Sequence, residues 1–264
     1  MGNIISGSDF TGSVGPITVL KMRGHDKLVI RSKGGASKRK IKTHPNFDAT
    51  RKLNREWALV TSVASNIRKR LGGIRQLSDY NISGPLNALI KKIQTADSVN
   101  EKGKRSILFS RYPEYLTTFQ FNRQTLFDSI VRHQPEINID KTAGVANVTI
   151  PLLQPNIHFF PNPKYAYYRF VIDMASASDH VWNEQTNSYN SVASQLPIYK
   201  LFNTDWFPTS GTRPAATYQM IPFYENFLTG PDMILILGTG IQYGMPAPDG
   251  SIQPVPHAGA ARIL

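Results

Sequence analysis

The chain has 264 residues, 41% of them hydrophobic, and carries 30 Lys+Arg against 18 Asp+Glu, a formal charge of +12. The absence of cysteine excludes a disulfide scaffold, a Cys-ligated zinc or iron–sulfur centre and a thiol nucleophile. The charge is one-sided: residues 1–110 hold 21 Lys+Arg against 7 Asp+Glu, a net +14, and residues 111–264 hold 9 against 11, a net −2. An asymmetry this sharp predicts two modules with different partners.

In chain order, Met1 to Ser6 has neither a basic nor an apolar signal region, so no signal peptide is expected. Met1-Gly2 with Ser6 matches the short N-myristoylation pattern. Val14 to Met22 and Leu28-Val29-Ile30 read as strands joined across Arg23–Lys27, a β-hairpin closed by Gly34-Gly35. Lys38-Arg39-Lys40-Ile41-Lys42 reads either as a solvated loop or as an arm for phosphates or carboxylates. A long helix follows Pro45, with Leu53, Trp57, Val60, Val63 or Ala64, Ile67 and Leu71 as its apolar stripe and Gly72-Gly73 as its stop. Its polar side carries Arg51, Lys52 and Arg55, and Arg68, Lys69 and Arg70 favour the dipole of its last turn. A second amphipathic helix spans Pro85 to Ala96, with Ile82, Leu86, Leu89, Ile90 and Ile93 inward, before a basic turn holding Lys102, Lys104 and Arg105.

From about Phe119 the pattern becomes short strands between turn residues. Strands are predicted at Ala146–Leu152, Tyr167–Met174, Tyr218–Ile221, Met233–Leu237, Ile241–Tyr243 and Ala260–Leu264, with a turn at Pro248-Asp249-Gly250. The Ser/Asn-rich stretch from Ala175 to Gln195 reads as a long loop. The longest apolar run, Met233–Leu237, is far shorter than the roughly 20 residues of a spanning helix, so no membrane span is expected.

The segment Gly12-Ser13-Val14-Gly15-Pro16-Ile17-Thr18-Val19, then Gly24, Leu28–Lys33, Ile41-Lys42-Thr43 and Arg51, resembles a group of Bacteroidota proteins. Those proteins begin with a Gly-x-Val-Gly hairpin and a basic stretch, continue with helices and end in a β-rich domain. The resemblance covers about the first 70 residues and implies no activity or functional residue.

The motifs of chemistry are missing or incomplete. Gly238-Thr239-Gly240 opens like a dinucleotide fingerprint, but Tyr243 stands where its third glycine belongs and no βαβ unit surrounds it, so a strand with close backbone approach fits better. Asp173, Asp179 and His180 are the one acid–imidazole grouping that offers a metal site, provided they converge in space. Phe159-Phe160, Tyr165, Tyr167-Tyr168, Trp206-Phe207 and Phe223-Tyr224 either fill a core or offer stacking platforms.

The expected architecture is α+β: residues 1–118 form a hairpin with two or more basic amphipathic helices, and residues 119–264 form an antiparallel β-sandwich, Ig-like or jelly-roll-like. The expected function is that of a non-enzymatic structural or assembly protein without cofactor, cytoplasmic or virion-associated, a capsid-like subunit being one form. Its partners are further copies of itself or other protein subunits, with nucleic acid as a partner of the basic module. The residues expected to meet a polyanion or acidic surface are Lys38, Arg39, Lys40, Lys42, Arg51, Lys52, Arg55, Lys102, Lys104 and Arg105. The alternative is a dedicated nucleic-acid-binding protein with an accessory β domain; a hydrolase or lectin built on the sandwich is a third class and demands a concave site.

Overall fold

The computed structural model describes residues 3–5, 9–21, 28–32, 34–117, 119–140, 145–192, 199–220 and 231–264. They fall into two units, Met1–Arg51 and Lys52–Leu264.

In the first unit β1 (Asn3–Ile5), β2 (Asp9–Val14), β3 (Ile17–Leu20) and β4 (Val29–Ser32) pair in sequence order as an antiparallel meander. Val14 thus ends β2 rather than opening the next strand, because Gly15-Pro16 makes a two-residue turn that pairs Val14 with Ile17. Gly15 has φ +54°, the left-handed region that such turns require and that glycine adopts without strain. The expected pairing across Arg23–Lys27 is present as the β3–β4 register; residues 22–27 themselves lie outside the described residues.

The basic run is a helix rather than a loop. In α1 (Lys38–Thr43) the Ser37 hydroxyl accepts from the Lys40 N–H at 3.2 Å, a serine N-cap that satisfies one of the orphan donors of a first turn. Pro45–Phe47 forms one 3-10 turn, capped by His44 Nδ1, before the long helix α2 (Asp48–Arg70) begins.

In the second unit α2 buries Leu59, Val60, Val63, Ala64 and Ile67, close to the expected stripe. At its N-terminal end the stripe is displaced: Leu53 and Trp57 are exposed and Glu56 takes the inward position. The long helix ends at Arg70, directly before Leu71-Gly72-Gly73, as expected. After Leu71 the chain enters α3 (Gly72–Arg75), and α4 (Ser83–Thr95) follows with Leu86, Ile90 and Ile93 inward. Two further turns of helix are α5 (Glu114–Thr117) and α6 (Phe127–Ile130).

The strands of this unit are β5 (Glu136–Asp140), β6 (Val145–Ile150), β7 (Tyr167–Ser178), β8 (His180–Asn183), β9 (Ser188–Ser191), β10 (Tyr199–Asn203), β11 (Phe207–Pro208), β12 (Ala216–Met220), β13 (Met233–Pro246) and β14 (Ile252–Ile263). Antiparallel pairing builds a five-stranded sheet in the order β10-β7-β13-β14 with β11 also on β7, a three-stranded sheet β12-β6-β5, and the hairpin β8–β9. The expected long loop at Ala175 to Gln195 is therefore mostly strand, with residues 193–198 outside the described set. The small residues at its start lie inside a sheet. Ala175, Ser176 and Ala177 are buried, and Ala175 and Ala177 share a cluster with the α2 stripe. Trp182 opposes Tyr189 across the hairpin, ring centroids 5.1 Å apart and edge to face.

The sides of β7 alternate as strand geometry requires. Val171, Ala175 and Ala177 join α2 and α4 in one cluster, while Ile172 and Met174 join Ala146, Val148 and Met220 of the three-stranded sheet in another. A strand covered on both faces reads as nearly continuous apolar sequence. Each fully buried aliphatic side chain here contributes roughly 1.5–3 kcal/mol by removal from water. The stripe of α2 and α4 is buried on the five-stranded sheet, including Ile236, Ala261 and Ile263.

The two strands predicted on either side of Gly238-Thr239-Gly240 are one strand, β13. A Cβ at Gly238 would collide with Ile74, and one at Gly240 would stand 2.5 Å from Leu77 Cδ1. These glycines admit the residues after α2 to the sheet surface and form no nucleotide loop. No helix among the described residues is long and apolar enough to cross a membrane.

Candidate functional site

The ten expected cationic residues have different fates. Lys38, Arg39, Lys40 and Lys42 stand together on α1, all exposed, on a helix that buries no side chain. Among the described residues no acidic side chain pairs with them. Arg51 folds back instead. Its Nη1 donates to the carbonyls of Ile41 and His44, each at 2.9 Å, and its Nη2 reaches Asp48 at 3.3 Å. It thereby caps the C-terminal end of α1, where carbonyls lack partners and a cation is favoured.

In the second unit Lys52 lays its stem against Gly103, whose φ of +103° and 2.6 Å clearance to Lys52 Cβ both require glycine. The Arg55 guanidinium sits 4.7 Å from the Trp182 ring centroid. Lys102 is exposed. Lys104 pairs with Glu101 at 3.2 Å and Glu184 at 2.7 Å. Arg105 is committed to Glu56, which is fully buried. Of these ten, the α1 group alone forms a cluster of exposed cations without an acidic partner among the described residues.

Glu56 is the residue that counting cations misses. Its Oε1 accepts from Gly103 N at 2.7 Å and Arg105 Nε at 2.9 Å; its Oε2 accepts from Lys91 Nζ at 2.7 Å and Arg105 Nη2 at 2.6 Å. Burial alone would raise its carboxyl, but the bonds from Arg105, Lys91 and Gly103 outweigh burial and hold it down to about 2. Asp97 secures the same loop through the N–H groups of Val99, Asn100 and Ser106. The signal was present in the sequence: Glu56 lies three and four residues before Leu59 and Val60, on the stripe itself.

Asp173, Asp179 and His180 do not converge. Asp173 Oδ2 accepts from Ile74 N at 2.9 Å under α3, Asp179 accepts from the Ser110 N–H and hydroxyl, and His180 Nδ1 contacts the Ser178 carbonyl at 2.9 Å. Among the described residues no group of three or more His, Asp or Glu can hold a metal ion.

Asp173 has a measurable consequence. Burial pushes its carboxyl up to about 6, against the opposing hydrogen bonds from the Ile74 and Gly73 N–H groups. An unfolded aspartate titrates near 3.9, so between about pH 4 and 6 the folded chain binds more protons than the unfolded one. The contribution of this group to stability therefore falls as pH rises through that window and is flat above it. Asp173→Asn, which still offers an oxygen to Ile74, should raise stability at pH 7.5 by about 2 kcal/mol and change little at pH 4. Urea unfolding at the two pH values measures the difference; a loss at pH 7.5 would show the carboxylate to be net favourable.

A cleft of about 490 Å³ includes Asp79, Asn122, Gln124, Tyr165, Tyr243 and His257 in its wall. Tyr165 and Tyr243 stack with centroids 4.8 Å apart. Its polar groups already serve the fold: Asp79 accepts from the Arg123 and Gln124 N–H groups, and Asn122 bonds to Leu77, Gly259 and Ala261. Asp79 is the lone carboxylate of its wall, whereas glycoside hydrolysis ordinarily takes two. Four of the seven singled-out aromatics that lie among the described residues are packing groups: Phe159 and Tyr168 are buried, and Tyr165 and Phe207 pack on their cluster, while Phe223-Tyr224 lies outside the described residues. Comparison with protein-family models, with curated proteins and with solved structures finds no match.

Proposed function

We propose that this chain is a non-enzymatic structural protein that self-associates through its β-rich region and engages a polyanion or acidic partner surface through α1. The observation that carries the reading is α1 itself, four exposed cations on a helix with no buried side chain and no acidic partner among the described residues. The unit that bears it adds support. None of its residues from 10 to 21, 28 to 32 and 34 to 51 is buried, and Val14, Ile17 and Ile30 stand exposed on its strands. Exposed apolar side chains on a small sheet are a surface that an assembly partner would cover. In the second unit the five- and three-stranded sheets share one cluster, in keeping with a sandwich of the Ig-like or jelly-roll-like kind.

Salt tests the polyanion half. Neutralising four phosphates of B-DNA gives a slope of log affinity against log salt of about −3.6. The quadruple substitution of Lys38, Arg39, Lys40 and Lys42 by Gln should remove most of that slope, as fluorescence anisotropy with a duplex oligonucleotide would read. Light scattering of nuclease-treated protein tests the assembly half. Micromolar self-association supports it; a monomer with a steep salt slope favours the dedicated nucleic-acid binder. A monomer that ignores DNA, RNA and acidic polypeptides at low salt sinks both.

A further inference from the structure

A cavity of about 170 Å³ lies within the second unit between α2, the end of β7 and the β8–β9 hairpin. Its polar wall includes Asn66, Arg70, Ser178 and His180. Arg70 Nη1 donates to the Ser176 carbonyl at 2.6 Å. Among the described residues that is its one hydrogen bond, and no carboxylate pairs with it. Burial lowers its pKa, the mark of a cation partly stripped of water without a counter-ion. Asp179, the chain neighbour of His180, is spent on the Ser110 N–H and hydroxyl.

His180 supplies the opposite polarity. Its Nδ1 lies 2.9 Å from the Ser178 carbonyl, which can only accept, so Nδ1 carries the proton. Burial, and then the charge of Arg70, keep the ring below its ordinary pKa against the pull of Asp179. In the neutral ring Nε2 therefore presents a lone pair. Among the described residues neither Nε2 nor the remaining Arg70 donors have a hydrogen-bond partner, and none of them is among the buried polar atoms left without one. One wall of the cavity thus offers a forked cation and another an acceptor.

We propose that this cavity binds a small oxyanion that still carries a proton, namely hydrogen phosphate, with its charged oxygens on Arg70 and its P–OH donating to His180 Nε2. Arg is the side chain suited to forked recognition of such oxygens. The volume lies well below the ~300–1,000 Å³ of pockets for larger ligands, which fits a free ion. A phosphodiester has no P–OH, so this site is chemically separate from any nucleic-acid backbone on α1. Sulfate has the same shape and no proton at neutral pH, and a site built to accept a hydrogen bond rejects an analogue that cannot give one.

The test titrates the full chain at pH 7.5 and constant ionic strength with inorganic phosphate, sulfate and glycerol 3-phosphate, by calorimetry and by the His180 imidazole resonances. Phosphate should bind saturably at one site per chain and shift the His180 signals. Sulfate and the bulkier monoester should each be at least tenfold weaker. Arg70→Gln should weaken phosphate at least tenfold, and Arg70→Lys should restore part of the loss. Absence of saturable phosphate binding, equal affinity for sulfate, a tighter monoester or an indifferent Arg70→Gln each overturns the proposal. Should Arg70→Gln fail to fold, the wild-type His180 signals still decide, because phosphate that leaves them unmoved is bound elsewhere.

Discussion

Glu56→Ala should lower the unfolding free energy by about 3–5 kcal/mol, the range for deleting one member of a buried ion pair. The cost comes from what remains. Arg105 and Lys91 keep charges whose side chains are 16% and 28% exposed, and the Gly103 N–H loses its acceptor. Replacing both partners of such a pair can be nearly neutral, whereas removing one leaves charge without compensation. Glu56→Gln, which keeps the shape and one acceptor, should cost about half as much. Urea unfolding with an unchanged m-value checks both, and a loss under 1 kcal/mol for Glu56→Ala would show that water already screens this cluster. The pH dependence has a definite sign. The folded carboxyl titrates near 2, below its unfolded range, so its stabilisation is fully present above about pH 4.5 and is lost as pH falls toward 2. The acid limb of the wild-type stability curve should therefore be steeper than that of Glu56→Gln.

Gly259→Ala should destabilise by about 3 kcal/mol. Gly259 has φ +156°, and a Cβ there would meet the Ile241 carbonyl oxygen of the paired strand β13. That atom is backbone within a sheet, so it cannot rotate away as a side chain can. The strain would also reach Asn122, which donates to the Gly259 carbonyl at 3.2 Å and accepts from Ala261 N. Gly250→Ala is the control: Gly250 has φ +83° but nothing within 4 Å of a Cβ, so it should cost only about 1 kcal/mol. If the two variants unfold at the same urea concentration, the close approach at Gly259 is not what fixes glycine there.

Periodicity located α2 and α4 because their stripes depend on neighbours three and four residues apart. It misplaced the first turns of α2, where Leu53 and Trp57 look apolar but Glu56 turns inward, since the partners that draw it in are Lys91 and Arg105, far along the chain. Composition misread Ala175 to Gln195 for a related reason: small and polar residues signal a loop, yet β7 runs to Ser178 because helices crowd one face of its sheet. Arg213 is a further case. It is buried without a carboxylate partner among the described residues, its guanidinium 4.5–5.8 Å from the ring centroids of Phe170, Phe207 and Tyr218, residues that sequence cannot place together.

The sequence by itself determined the α+β composition, the order of helices before strands, the hairpin at the start and the one-sided charge. These follow from local propensity and from counting, which need no long-range contact. Tertiary structure alone decided which cations are free. Arg51, Lys104 and Arg105 each meet an acid or a carbonyl that folding brings to them, while Lys38, Arg39, Lys40 and Lys42 meet none among the described residues. The physical reason is that charge belongs to a residue, but its neutralisation belongs to a pair, and most of those pairs are assembled only when distant segments fold together.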